Sequence, residues 1–365
     1  MLIDIIAGAR PNFIKIAPIV DAIQKRRDQG VAIDFRLVHT GQHYDKKMSG
    51  DFFEQLGIPE PHHNLEAGSG TQAEQTGKIM TAYERLLMQQ PCDLCIVVGD
   101  VTSTMACSIA AKKMNNIAVA HVEGGIRSGD WTMPEEINRV VTDSISDYFY
   151  TTSHVANNNL RQAGIAENRI CFVGNTMIDT LMKQMPHLRQ PEFWDRYRLT
   201  AGNYMVMTLH RPANVDRADK LKELIQEVVM GSQQLPVIFP VHPRTAKMLD
   251  AAGITYPTLY AVEPMGYLEF NYLVKHAKAV VTDSGGITEE TTVMGVPCMT
   301  LRDNTERPET CTVGTNELLG TDPAAIAPAF ATLFGGRWKK GGIPELWDGH
   351  TAERIVDHIV RIYKP

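Results

Sequence analysis

The chain has 365 residues, long for one hydrophobic core and suited to two domains at roughly 150 residues apiece. Its 44% hydrophobic and 21% charged residues are the balance of a soluble globular protein, and no apolar run approaches the roughly 20 residues that span a membrane. A formal net charge of −6 without any Lys/Arg-rich run argues against a nucleic-acid surface, and six cysteines are too few for a disulfide framework. The opening MLIDIIAGARP reads as a strand entering a turn and not as a secretory leader, so a cytoplasmic location is expected.

Residues 2–7 form that apolar strand, and Gly8-Ala9-Arg10-Pro11 is the turn out of it. Pro11 suits the first turn of a helix with apolar positions at Ile14, Ala17, Ile19 and Val20. Arg10 and Lys15 flank the helix start, where an anion at the carboxyl ends of the strands comes within reach. The dinucleotide fingerprint G-x-G-x-x-G is absent, with only Gly8 in place, which counts against a nicotinamide enzyme. Residues 35–39 read as a second strand. The later GTQAEQTGK lacks P-loop spacing and has Ile79 where Ser or Thr is required. Cys92 and Cys95 have CxxC spacing but no second pair, and His62 and His63 lack partners at metal-ligand spacing. Neither pair reads as a metal or redox centre.

Residues 94–98 are a third strand ending in Gly99-Asp100, and residues 118–122 a fourth ending in Glu123-Gly124-Gly125. Pro134 then opens a helix carrying Glu135 and Glu136. Asp100, Glu123 and Glu135 are expected to converge at the carboxyl ends of one sheet, where crowded acids suit proton transfer. Taken singly, each also reads as a helix-capping carboxylate. Strands at 148–151 and 170–173 complete a doubly wound first domain, expected over 1–175.

A second βα series follows, expected over 176–350, with strands ending in His210-Arg211-Pro212 and His242-Pro243-Arg244. Phe270 precedes the most informative stretch, AVVTDSGGITEETTVMGVPCMTLRDNTERPE. There a buried strand runs through Ser284-Gly285-Gly286 into a helix N-terminus, the arrangement that receives a phosphate or diphosphate, with Arg302 and Arg307 just beyond the next strand. The bland alternative is an ordinary βαβ crossover with surface arginines. Residues 351–363 form a terminal amphipathic helix expected to pack across the hinge.

The segments GARPNFIKIAP, TGQHYD, VVGDVTST, HVEGGIRSGDWTMPEEINR, VGNTMIDTL, TLHRPANVD, PVHPRT and TDSGGITEE with TERPE occur in order over most of residues 7–321. Together they resemble the non-hydrolysing UDP-N-acetylglucosamine 2-epimerases. The resemblance implies two Rossmann-like doubly wound α/β domains in the glycosyltransferase-B arrangement, an inter-domain active-site cleft and a homodimer. It implies a diphosphate held by Ser284, Gly285 and Gly286 with Arg10 and Arg307, ribose hydroxyls on Glu290, and uracil near Phe270. Met265 stands where the family commonly has glutamine.

The implied reaction eliminates UDP across C1–C2 to give a 2-acetamidoglucal and adds it back with C2 inverted. Asp100, Glu123 and Glu135 match the acid positions, His210 the histidine assisting UDP departure, and Lys15 a second basic group. The scheme calls for no metal or redox cofactor. Some bacterial members bind a second UDP-GlcNAc as an activator. Gln42, His43, Glu136, Arg211 and His242 match that pattern, while Asp45 replaces a glutamine. The alternatives are a hydrolysing epimerase, a sibling epimerase for a diacetamido-uronic or FucNAc-type UDP-sugar, a glycosyltransferase, for which no acceptor-site signature is seen, and a non-catalytic nucleotide-sugar sensor.

Overall fold

A computed structural model describes residues 1–41, 53, 55–114, 116–241 and 243–363. The chain forms two compact α/β units, one made of Met1–Lys183 with Glu345–Pro365 and the other of Gln184–Pro344. The first holds seven strands: β1 (Leu2–Ala7), β2 (Asp34–His39), β3 (His63–Asn64), β4 (Leu94–Val98), β5 (Ala118–Val122), β6 (Tyr148–Thr151) and β7 (Ile170–Phe172). They lie in the order β3-β2-β1-β4-β5-β6-β7, and every pairing is parallel. Parallel strands covered by helices on both faces must be apolar throughout, and LCIVV of β4 is buried at all five positions. Asp4 interrupts β1 but faces Arg36 in the register of β2, with Nε–Oδ1 and Nη2–Oδ2 both at 2.7 Å. Tyr83 donates to the same carboxylate at 2.9 Å, so the buried charge is fully engaged.

The second unit repeats the plan with β8 (Met205–Thr208), β9 (Val237–Pro240), β10 (Leu259–Val262), β11 (Ala279–Thr282), β12 (Cys298–Thr300) and β13 (Asn316–Leu318). Their order is β10-β9-β8-β11-β12-β13, again parallel. Each sheet reverses direction of growth once, between β1 and β4 and between β8 and β11. In such sheets the loops part at that point and leave a crevice at the carboxyl ends of the strands.

The division differs from the boundaries read from sequence, 1–175, 176–350 and 351–365. The first unit runs on through the Thr176–Gln184 helix to Lys183 and takes back the chain from Glu345. The cause is local packing: Trp347 is fully buried and donates through Nε1 to Thr152 O at 3.1 Å. Asp179 then caps the Thr351–Ile362 helix, accepting from Thr351 N at 3.1 Å and Ala352 N at 2.7 Å. Ile355, Val356 and Ile359 are the buried face of that helix, which packs on the Arg10–Asp28 helix. No helix among the described residues is long and apolar enough to cross a membrane.

Candidate active site

At the crevice of the first unit, Asn12 staples the exit of β1 to the end of β4. Its Oδ1 accepts from Gly8 N at 3.1 Å and Ala9 N at 3.0 Å, and its Nδ2 donates to Val98 O at 3.1 Å. Arg10 opens the helix and Lys15 lies one turn in, its ammonium 2.7 Å from Glu123 Oε2. Glu123 follows β5 with φ +71 and is nearly buried. Gly99, next along from β4, has φ +72, and a Cβ there would stand 3.2 Å from Lys15 Nζ and 3.6 Å from Glu123 Oε2. Glycine at this position therefore lets the Asp100 turn approach the Lys15–Glu123 pair.

Asp100 is paired with the buried Arg139, and Asn138 Nδ2 donates to its backbone carbonyl at 2.8 Å. Arg139 also binds Glu136 at 2.8 Å, and Glu135 precedes it by one helical turn on the same face. The Glu135 side chain makes no ion pair or hydrogen bond with the described residues. Asp100, Glu123 and Glu135 thus stand on adjoining segments of one unit, with different immediate surroundings. Glu136 accepts from Ser128 N at 2.9 Å, Ser128 Oγ at 3.1 Å and Gly129 N at 3.1 Å. Burial opposes its ionisation, but these donors and Arg139 hold its carboxyl below the usual range.

At the second crevice, Ser284 is the N-cap of the Gly285–Met294 helix, and its side chain makes no capping bond. The first N–H groups of a helix carry its partial positive charge, which suits an anion. A Cβ on Gly285 would lie 3.8 Å from Arg302 Nη1, so the Arg302 fork, held by Glu306 at 2.8 Å, borders the cradle. Arg307 is buried with Nε 2.5 Å from Glu289 Oε1, and Arg211 Nη2 lies 3.8 Å from Glu306. His210 is largely exposed, and its Nδ1 is 2.7 Å from the fully buried Asp283. Asp283 also accepts from His210 N at 3.1 Å, Arg211 N at 2.9 Å and Asn214 Nδ2 at 3.1 Å. Burial works against the Asp283 carboxylate, yet His210 and these donors keep its pKa below normal.

Glu290 is buried beside Tyr267 and Asn271, whose Nδ2 is 3.4 Å from Oε1. Burial pushes its pKa up to about 7; Tyr267 and Asn271 moderate the rise and Glu289 adds to it. Phe270 is half-buried, packed against the core cluster of Leu273 and Val280. In the second unit His210, Arg211 and the Ser284-Gly285-Gly286 turn follow the ends of β8 and β11, Glu290 lies farther along the Gly285–Met294 helix, and Arg307 meets that helix through Glu289. Gln42, His43 and His242 lie outside the described residues.

Asn12, Arg139 and Asp283 were not picked out as site residues from sequence. Asp283 carries a signal in the sequence, an aspartate directly before a glycine turn, but that pattern serves a plain turn equally well. Cys92 and Cys95 are both buried, and burial lifts the Cys92 thiol to about 12.

Two Rossmann-like α/β units, one with carboxylates and a lysine at its crevice and the other with a phosphate-type cradle, define a nucleotide-sugar class of fold and site. Within that class the chain belongs to the UDP-N-acetylglucosamine 2-epimerase family, whose model matches residues 25–360. A UDP-N-acetylglucosamine 2-epimerase of Methanocaldococcus jannaschii is 40% identical over 369 residues, covering 98% of each chain. A crystal structure of the M. jannaschii UDP-GlcNAc 2-epimerase in complex with UDP-GlcNAc and UDP is similar with a TM-score of 0.88 at 39% identity. That match covers 99% of this chain and 100% of the other. A UDP-2,3-diacetamido-2,3-dideoxy-D-glucuronate 2-epimerase of Pseudomonas aeruginosa is 34% identical, over 98% of this chain and 99% of its own.

Proposed function

We propose that this protein interconverts UDP-N-acetylglucosamine and UDP-N-acetylmannosamine without hydrolysis. The proton on C2 is not next to a carbonyl, so direct deprotonation is very unfavourable. Removing it while UDP departs from C1 gives a 2-acetamidoglucal, and adding UDP back with protonation on the opposite face inverts C2. One group must take a proton where another returns one, and such groups need different surroundings. The observation that carries the reading is the acid set: Glu123 against Lys15, Asp100 against Arg139, and Glu135 without a cationic partner among the described residues.

In this reading Ser284, Gly285 and Gly286 take the diphosphate, with Arg10 and Arg307 contributing charge. Glu290 accepts from the ribose hydroxyls, Phe270 lies by the uracil, and His210, backed by Asp283, supports the departing UDP. A homodimer acting in the cytoplasm belongs to the same proposal, and sedimentation and cell fractionation test it. A second UDP-GlcNAc on Glu136 or Arg211 would compete with the contacts those side chains already make, so a hyperbolic dependence of rate on UDP-GlcNAc is expected.

The test is incubation with UDP-GlcNAc in deuterated water, followed by NMR of the sugar. Deuterium at C2 with UDP-ManNAc appearing supports the proposal, whereas free ManNAc means hydrolysis. No exchange, alongside turnover of a UDP-diacetamido-uronate, means the sibling reaction. Asp100→Asn is expected to abolish exchange and leave UDP affinity within several-fold; a large loss of UDP binding makes Asp100 structural.

A further inference from the structure

One buried pair beneath the acids has no place in that scheme. His121, on β5 two residues before Glu123, is fully buried, with Nδ1 2.7 Å from Asp143 Oδ1 and Nε2 2.8 Å from Gly99 O. A carbonyl oxygen can only accept, so Nε2 donates. Asp143 lies on the Pro134–Ile145 helix, and its other oxygen accepts from Gly125 N at 3.0 Å and meets Arg127 at 2.6 Å. Burial disfavours its charge, but His121 and Arg127 hold its pKa below normal, so Asp143 faces the ring as an accepting carboxylate.

The Gly99 carbonyl belongs to the peptide bond that leads into Asp100, and Gly125 N lies two residues beyond Glu123. Gly125 has φ +80, and a Cβ there would come within 2.3 Å of Ala156 O, so this turn is closely packed as well. The helix that supplies Asp143 also supplies Glu135 and the Arg139 that holds Asp100. We infer that His121 and Asp143 are positioning residues, a buried strut that fixes the backbone on either side of the crevice and so sets the spacing of Asp100 and Glu123. Neither side chain touches substrate in this account. The inference rests on the reading of Asp100 and Glu123 as proton carriers, and its consequence is geometric: an acid displaced by about 1 Å from the C2 proton can cost about 10²-fold in rate.

The experiment compares wild type, His121→Leu, His121→Gln and Asp143→Asn, each as the full chain. Glutamine can present an amide N–H to Gly99 O where leucine cannot. His121→Leu is expected to lower kcat for C2 exchange by about 10²-fold with KM within about three-fold, and His121→Gln to recover to within about ten-fold of wild type. Hydrogen–deuterium exchange of segments 99–105 and 123–128 is expected to quicken in His121→Leu and Asp143→Asn and to recover in His121→Gln. A folded His121→Leu protein with wild-type kcat and wild-type protection of both segments overturns the inference. So does a fall in kcat matched by an equal fall in UDP-binding sites, which signals general unfolding. If wild type itself exchanges no C2 proton, the proposed function fails, while segment protection still decides whether the pair is a strut.

Discussion

Glu290→Gln separates what a buried acid costs the fold from what it gives the ligand. In the folded protein its pKa lies near 7, against an ordinary value of 4.5, because burial penalises the charge. Between those values the folded chain keeps a proton that the unfolded chain releases. Stability therefore falls as pH rises through the window and levels off above about 7. The gap, at ~1.4 kcal/mol per pH unit, amounts to about 3 kcal/mol. Glutamine is neutral throughout. The variant should match wild type at pH 4, exceed it by about 1 kcal/mol at pH 5 and by about 3 kcal/mol at pH 8, measured by denaturant unfolding at four pH values. UDP should behave in the opposite way: an ionised carboxylate accepts both ribose hydroxyls and an amide oxygen serves them less well, so affinity should drop about ten-fold or more. Wild type should take up UDP with release of up to one proton at pH 6 and almost none at pH 8, read by calorimetry in buffers of different ionisation enthalpy. A stability difference that stays constant from pH 5 to 8 refutes the reasoning.

Asp283→Asn places an amide where a carboxylate faces His210 N, Arg211 N and Asn214; UDP elimination should slow by about 10²-fold in single-turnover assays, and a wild-type rate would release His210 from its role. Gly174→Ala combines φ +103 with a Cβ 2.1 Å from Leu346 O, so thermal unfolding should report a loss of about 3 kcal/mol. Arg36→Met strands the Asp4 carboxylate in the core and should cost about 3–5 kcal/mol by denaturant unfolding, most of it restored in Asp4→Leu/Arg36→Met.

Much of the fold could be read because strands buried on both faces appear as unbroken apolar runs, as at Leu94–Val98 and Ala279–Thr282. Glycine turns after those runs marked both crevices. The partners that hold the site were invisible for a physical reason. Arg139 meets Asp100 across 39 residues, and His121 meets Asp143 across 22, through strand register and helix placement that local spacing does not carry. The return of Glu345 to the first unit was missed likewise, since nothing in the sequence says which core receives Trp347.

The two crevices solve one problem in the same way. Where neighbouring loops diverge, backbone N–H groups lose their sheet partners, and a buried donor without an acceptor costs about 1–3 kcal/mol. In the first unit Asn12 accepts from Gly8 N and Ala9 N and reaches Val98 O; in the second Asp283 accepts from His210 N and Arg211 N, and Asn214 reaches Leu301 O. Each side chain bridges the two strands at the reversal and satisfies the loop amides from within. The choice of residue follows the charge that each crevice must carry. An amide suffices beside the Lys15–Glu123 pair, whereas under the proposed function a carboxylate beside His210 would support that ring against a departing diphosphate. Exchanging the two, Asn12→Asp and Asp283→Asn, should therefore impair turnover in both units even though each retains an oxygen to accept from the loop amides.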